Sequence, residues 1–185
     1  MNPVEIEEAV SQLALEPFDA GEFAYQFLRA FGNKETAIAR LRAGNTNQSD
    51  VPGGVLQRNH IHVAACAKGA VDETLTALRA SPKTASQKAK FILATDGEAF
   101  QAEDMNGGGT VACRYDEFPD HFGFFLPLAG ITTVEQIRES SFDIKATGRL
   151  NKLYVELLKD NPDWASRRED MNHFMARLIF CFFAE

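Results

Sequence analysis

Apolar residues in the first part of the chain recur with a helical period. Ile6, Val10 and Leu13 share one helix face behind Asn2-Pro3, a capping side chain followed by a first-turn proline, and Pro17 ends the run. A second helix, capped by Asp19, places Ala24, Phe27, Leu28 and Phe31 at i, i+3, i+4, i+7 and closes at Gly32. Residues 35–42 predict a short third helix with Ile38 and Leu41 inward. Residues 44–54, GNTNQSDVPGG, form a loop by composition.

Beyond this loop the period changes to two. Residues 54–57 and 60–67 predict two short strands. In the second, Ile61, Val63, Ala65 and Ala67 fall on one face and His60, His62, Ala64 and Cys66 on the other. A helix over 71–79 follows, with Val71, Leu75 and Leu78 on one side, then a polar loop or short helix over 81–89. KFILAT, residues 90–95, is a continuous apolar run of strand length and predicts a central strand. Asp96-Gly97 is a turn dipeptide, residues 100–103 alternate, Gly107 to Gly109 turn the chain, and residues 111–115 make a further strand. Residues 118–131, FPDHFGFFLPLAGI, are rich in aromatics but interrupted by Pro119, Gly123, Pro127 and Gly130. They predict a wrapping loop whose phenylalanines plug the core edge; an exposed aromatic surface is the alternative.

The C-terminal part returns to helical spacing. Thr132 or Thr133 caps a short helix reaching Glu139. A longer helix over 142–159 carries Leu150, Leu153, Tyr154, Leu157 and Leu158 as its stripe. Asn161-Pro162 repeats the cap-then-proline signature ahead of a last helix bearing Met171, Phe174, Met175, Leu178, Ile179, Phe182 and Phe183. That helix runs into Ala184-Glu185 with no cap and no polar tail, which predicts that it continues in a longer protein.

Composition narrows the class. A chain of 185 residues with 45% hydrophobic and 24% charged residues can bury one full core and is not disordered. The formal net charge of −7 argues against a free-standing nucleic-acid binder, so any DNA contact must be local or made elsewhere in a larger protein. Three widely spaced cysteines, Cys66, Cys113 and Cys181, suggest reduced thiols and a cytoplasmic setting rather than a disulfide framework. The acidic N-terminus is no targeting peptide, and no apolar run is long enough to span a bilayer, so no membrane partner is expected.

Candidate chemistry is sparse. His60, His62 and Cys66 share a face, but a tetrahedral zinc site needs four ligands and no further pair follows; no metal site is assigned, and half-buried strand polars are the plainer reading. Asp116, Glu117, Asp120 and His121 could form an acid/base cluster, although their place between a strand end and a proline favours capping. Asp96, Glu98, Glu103 and Asp104 flank turns. The triple glycine lacks the Lys-Ser/Thr of a phosphate loop. No serine or cysteine nucleophile with a nearby histidine emerges from motif context. Lys83, Lys88 and Lys90 form a weak basic cluster, a solvated loop or a minor DNA phosphate contact.

Three stretches carry a family resemblance: KFILATDGEAFQAED (90–104), IKATGRLNKLYVELL (144–158) and HFMARLIFCFFAE (173–185). Together they resemble the N-terminal region of the MmeI-type DNA methyltransferases, large bacterial enzymes dependent on S-adenosylmethionine. In these a nuclease-like domain and a helical connector precede the methylase and target-recognition domains. The resemblance implies an α/β (α+β) fold: a PD-(D/E)xK nuclease-like core with a mixed central sheet, a helical N-terminal lead-in and a C-terminal helical extension. It further implies a nuclease-like domain over 1–140 and the start of a connector over 141–185.

In restriction-active relatives the strand matching residues 59–69 carries Glu-x-Lys, with an Asp on the preceding strand, to hold Mg²⁺ and activate water. The register that aligns Gly69 puts Ala64 at the Glu position and Cys66 at the Lys position. Val55 or Leu56 stands where the Asp should be, Asp50 lies in the loop, and no acid occurs between Val51 and Val71 to restore the site. The resemblance therefore implies a catalytically inactive nuclease-like domain, with no catalytic, metal or cofactor residues of its own. The parent protein would methylate adenine in DNA within restriction-modification or phage defence. It would meet DNA and S-adenosylmethionine through downstream domains, whose glycine-rich loop and Asn-Pro-Pro-aromatic motif this sequence lacks. Two other classes remain open from the residues: an interaction module docking through the last helix and the 118–125 loop, and an enzyme built on Asp116, Asp120 and His121.

Overall fold

A computed structural model describes residues 2–131, 141–161, 163–164 and 167–183. They form two compact units, Met1–Ser141 and Phe142–Glu185.

The first unit is a five-stranded mixed sheet with helices on both faces. The order along the chain is α1 (Pro3–Leu15), α2 (Phe23–Ala30), α3 (Glu35–Arg42), β1 (Gly54–Gln57), β2 (Ile61–Ala65), α4 (Val71–Ala80), α5 (Pro82–Ser86), β3 (Phe91–Thr95), β4 (Ala99–Asp104) and β5 (Thr110–Arg114), followed by a 3-10 segment, Tyr115–Ala129. The strands lie in sequence order, β1-β2-β3-β4-β5. All neighbours are antiparallel except β2 and β3, which run parallel because α4 and α5 carry the chain back between them. The apolar run of β3 is central, as its pattern predicts, with all five residues buried.

Each face of the sheet has its own apolar layer. Ala64 of β2 and Ile92 and Ala94 of β3 pack against Val71, Leu75 and Leu78 of α4. The opposite face is aromatic. Phe100 of β4 stacks on Phe118 at 4.9 Å and 9°. Phe27 of α2 meets Phe125 edge-on at 5.1 Å, and Phe91 of β3 meets Phe124 at 5.3 Å. Such offset and edge-on pairs add to the area that the rings bury. Residues 118–131 thus supply core, and the alternative of an exposed aromatic surface is wrong: Phe118, Phe122, Phe124 and Phe125 are all buried. The expected loop is a run of 3-10 turns, which tolerates Pro119 and Pro127 because its ladder is short-ranged.

Three local expectations are corrected. Asp19 does not cap α2. Its carbonyl accepts the Glu22 and Phe23 N–H groups and its Oδ1 that of Gly21, shaping the turn before a helix whose N-cap, Glu22, makes no side-chain bond. Strand β2 is shorter than 60–67 and has no solvent-exposed face, since Ile61 to Ala64 are buried without a break. Asn161 does not start the last helix. Its N–H and its side-chain amide both bond the Leu157 carbonyl at the end of the preceding helix. By contrast α1 forms as read, with a reciprocal capping box between Asn2 and Glu5.

The second unit contains α6 (Ser141–Asp160) from its second residue onward, and α7 (Arg168–Phe183). Met171 and Met175 are buried; Leu153, Phe174 and Phe180 are exposed. Trp164 and Phe174 meet at 6.2 Å. The short helix expected up to Glu139 lies outside the described residues.

Candidate functional site

The sequence directs attention to the end of β2. Ala64 lies between Gly54 of β1 and Ala94 of β3, has no exposed surface, and points its methyl group into the apolar layer under α4. Cys66 follows the strand. Its N–H bonds the Thr95 carbonyl at 2.9 Å, and its thiol reaches the same oxygen at 3.4 Å. Burial pushes this thiol up, and it stays neutral. Asp96 is the buried acid at this end of the sheet. Its Oδ2 accepts the Gly69 N–H at 2.7 Å, and its Oδ1 accepts those of Glu98 at 2.9 Å and Ala99 at 2.8 Å. Burial alone would raise this carboxyl; the backbone donors outweigh it and hold it low. The two turns that Asp96 joins, after β2 and after β3, are thereby locked. These residues do not fit a magnesium site, because Ala64 offers no oxygen and both Asp96 oxygens already accept backbone N–H groups.

His60 and His62 do not act together. His62 is fully buried. Its Nδ1 is 2.8 Å from Thr84 Oγ1, and its Nε2 is 2.7 Å from Ser49 Oγ. Thr84 spends its own proton on the Leu78 carbonyl at 2.6 Å. Nδ1–H must therefore donate to Thr84, leaving Nε2 to accept from Ser49. Burial lowers this imidazole to about 4, against a smaller opposing pull from Asp50. Motif context offers no serine beside a histidine, yet the fold makes such a pair. So low a pKa makes His62 a poor general base, and the Ser49 hydroxyl is also tied to the Val51 N–H at 3.1 Å. No spacing rule links positions 49, 62 and 84; a loop and helix α5 converge on one strand. His60 sits in the β1–β2 turn with its Nδ1 buried and without a partner. Among the described residues no three His, Cys, Asp or Glu side chains stand where they could hold a metal ion.

The acid cluster divides. Asp116 pairs with Arg114 at 2.9 Å, and Glu117 accepts the Arg114 N–H. Asp120 and His121 line a separate 240 Å³ cleft with Thr110 and Phe124, in which Asp116 takes no part. Lys83, Lys88 and Lys90 are all exposed. Lys88 and Lys90 flank the connection into β3. The Asn59 N–H bonds the Gln87 carbonyl at 2.9 Å and the Lys90 N–H bonds that of His60 at 2.8 Å, which brings both lysines to the β1–β2 turn. Arg58 of that turn lines a 220 Å³ cleft together with Arg40 of α3. The sequence separates these arginines from the lysines, and only the sheet brings them to one end of the fold.

No helix among the described residues is long and apolar enough to cross a membrane. No solved structure matches the chain. Over 182 residues it is 30% identical to DNA methyltransferase A of Bacillus subtilis (strain 168), a match covering 98% of this chain and 20% of that protein. The chain therefore spans about a fifth of the length of the curated relative that it matches. The family model described as MmeI, N-terminal domain, matches residues 1–160. With a mixed sheet between helices and a match over most of its length, the chain belongs to the MmeI N-terminal domain family.

Proposed function

We propose that this chain is the N-terminal part of a bacterial DNA adenine methyltransferase of the restriction-modification or phage-defence kind, and that its first unit is a nuclease-like domain that has lost catalysis. The second unit would begin a helical connector to methylase and target-recognition domains, which would bind S-adenosylmethionine and select the DNA site in the cytoplasm. The observation that carries the loss of catalysis is Ala64: the position assigned to the metal-binding carboxylate is a methyl group sealed under α4. The likeness to a DNA methyltransferase supports the parent chemistry.

The experiment is incubation of the chain with supercoiled plasmid and Mg²⁺ or Mn²⁺. The expected result is unchanged plasmid. Reproducible nicking that disappears in Cys66→Ala or Asp96→Asn would overturn the reading. A second reading, an interaction module without a methylase role, draws on the exposed Phe174 and Phe180 of α7. It requires self-association or capture of a partner that alanine at both positions abolishes; a monomer in sedimentation with no such partner ends it.

A further inference from the structure

Charge is sorted along the strands of the first unit. Among the lysines and arginines of residues 1–131, Arg29, Arg42, Lys68, Arg79 and Arg114 are paired with carboxylates. Lys34, Arg40, Arg58, Lys83, Lys88 and Lys90 are exposed and make no ion pair with the described residues. Four of these gather at one end of the sheet. Arg58 occupies the β1–β2 turn, and Arg40 faces the same cleft. Lys88 and Lys90 are brought to that turn by the two backbone bonds from Asn59 and to His60. Proximity of the Lys90 charge, after burial, is what lowers His60. Asp104 also lies at this end, but its Oδ1 accepts the Asn106 and Gly107 N–H groups of its own turn. The acids Asp96, Glu98, Asp116 and Glu117 belong to the other end, where β3 and β5 finish and the Tyr115 N–H bonds the Glu98 carbonyl. Five-residue strands separate the two ends by roughly 17 Å.

Unpaired like charges held together on a protein of net charge −7 carry a repulsive cost that a polyanion would relieve. We propose that the sheet end bearing Arg40, Arg58, Lys88 and Lys90 binds the phosphate backbone of duplex DNA. The choice of DNA rests on the function proposed above; the choice of surface rests on charge placement alone. Arg40 and Arg58 line one cleft; guanidinium groups suit phosphate oxygens, and the lysines would add point charges at the same end of the sheet. All four side chains are long and exposed, so they track a backbone without reading bases. This end is opposite to the one carrying Ala64 and Cys66, so DNA would meet the domain away from the face that a nuclease uses.

The test is fluorescence anisotropy of the 185-residue chain with a labelled 30-bp duplex at several salt concentrations. Binding should weaken with salt along a log–log slope of about 3 to 4, as four phosphate contacts require. Arg58→Glu and Lys90→Glu should each weaken binding ~10-fold and lower the slope by about one. Lys68→Glu and Arg114→Glu, at the acidic end, should leave binding unchanged, and circular dichroism melts confirm that all four variants fold. No duplex binding at low salt, equal losses from both pairs of variants, or binding to phosphatidylserine vesicles in place of DNA would overturn the proposal. The plasmid assay reads cleavage independently: a chain that nicks DNA refutes the inactive-nuclease reading while leaving this surface standing, and a chain that neither nicks nor binds refutes only the surface.

Discussion

Ser49 Oγ and His62 Nε2 lie 2.7 Å apart, and this bond fixes a neutral imidazole inside the layer between β2 and α5. His62 takes a proton at about 4 when folded and at 6.5 in the unfolded chain. Between those values the unfolded chain binds more protons, so the stability conferred by neutral His62 is complete above pH 6.5 and is lost as the pH falls towards 4. The slope should reach about 1.4 kcal/mol per pH unit for one proton. His60, also lowered by burial, adds in the same direction. Urea unfolding at pH 7 and pH 5 measures it, and His62→Gln should flatten the dependence while lowering stability at pH 7.

Gly54 is required by the same pair. A Cβ there would run into Ser49 Oγ and lie 2.9 Å from the Val51 carbonyl and 3.2 Å from His62 Nε2. Gly54→Ala must displace Ser49 and should cost ~1–3 kcal/mol, read as a lowered thermal midpoint. An unchanged midpoint would mean that the loop over 47–53 is not held by this contact.

Ala64→Glu tests the proposed loss of a metal-binding carboxylate at this position. A carboxylate placed among Val71, Leu75, Leu78, Ile92 and Ala94 has no partner, so the substitution should destabilise the domain by about 3 kcal/mol or more. Combined with Cys66→Lys it should not restore Mg²⁺-dependent nicking. Gain of cleavage by a folded double variant would show that α4 can move off the sheet.

Phe100 joins the sheet to the 3-10 segment through Phe118 and Phe125 and to α2 through Phe27. Phe100→Ala should cost ~3–5 kcal/mol in denaturant unfolding, since rings on three sides lose a packing partner.

Much of this fold is legible in the chain because its signals are local. Periodicity places α1, α3, α4 and every strand to within a few residues, and the KFILAT run marks the central strand. Turn chemistry places Asp96-Gly97, where the absent Gly97 side chain leaves room for the Phe18 ring and φ is +85°. The aromatic segment is legible as core but not as 3-10 helix, because proline and glycine mark an interruption without specifying what fills it.

What the sequence by itself determined is the absence of acids between Val51 and Val71, since that is a matter of composition along β1, β2 and the turns that flank them. Tertiary structure alone decided the rest. Crossover through α4 and α5 covers the face on which His62, Ala64 and Cys66 alternate, turning a possible ligand face into a buried layer. Strand pairing brings Arg58 to the same end of the sheet as Lys88 and Lys90, and Arg40 of α3 shares a cleft with Arg58, across gaps in the chain that composition does not bridge. Burial and charge neighbourhood depend on contacts distant in sequence, so residue spacing carries no trace of them.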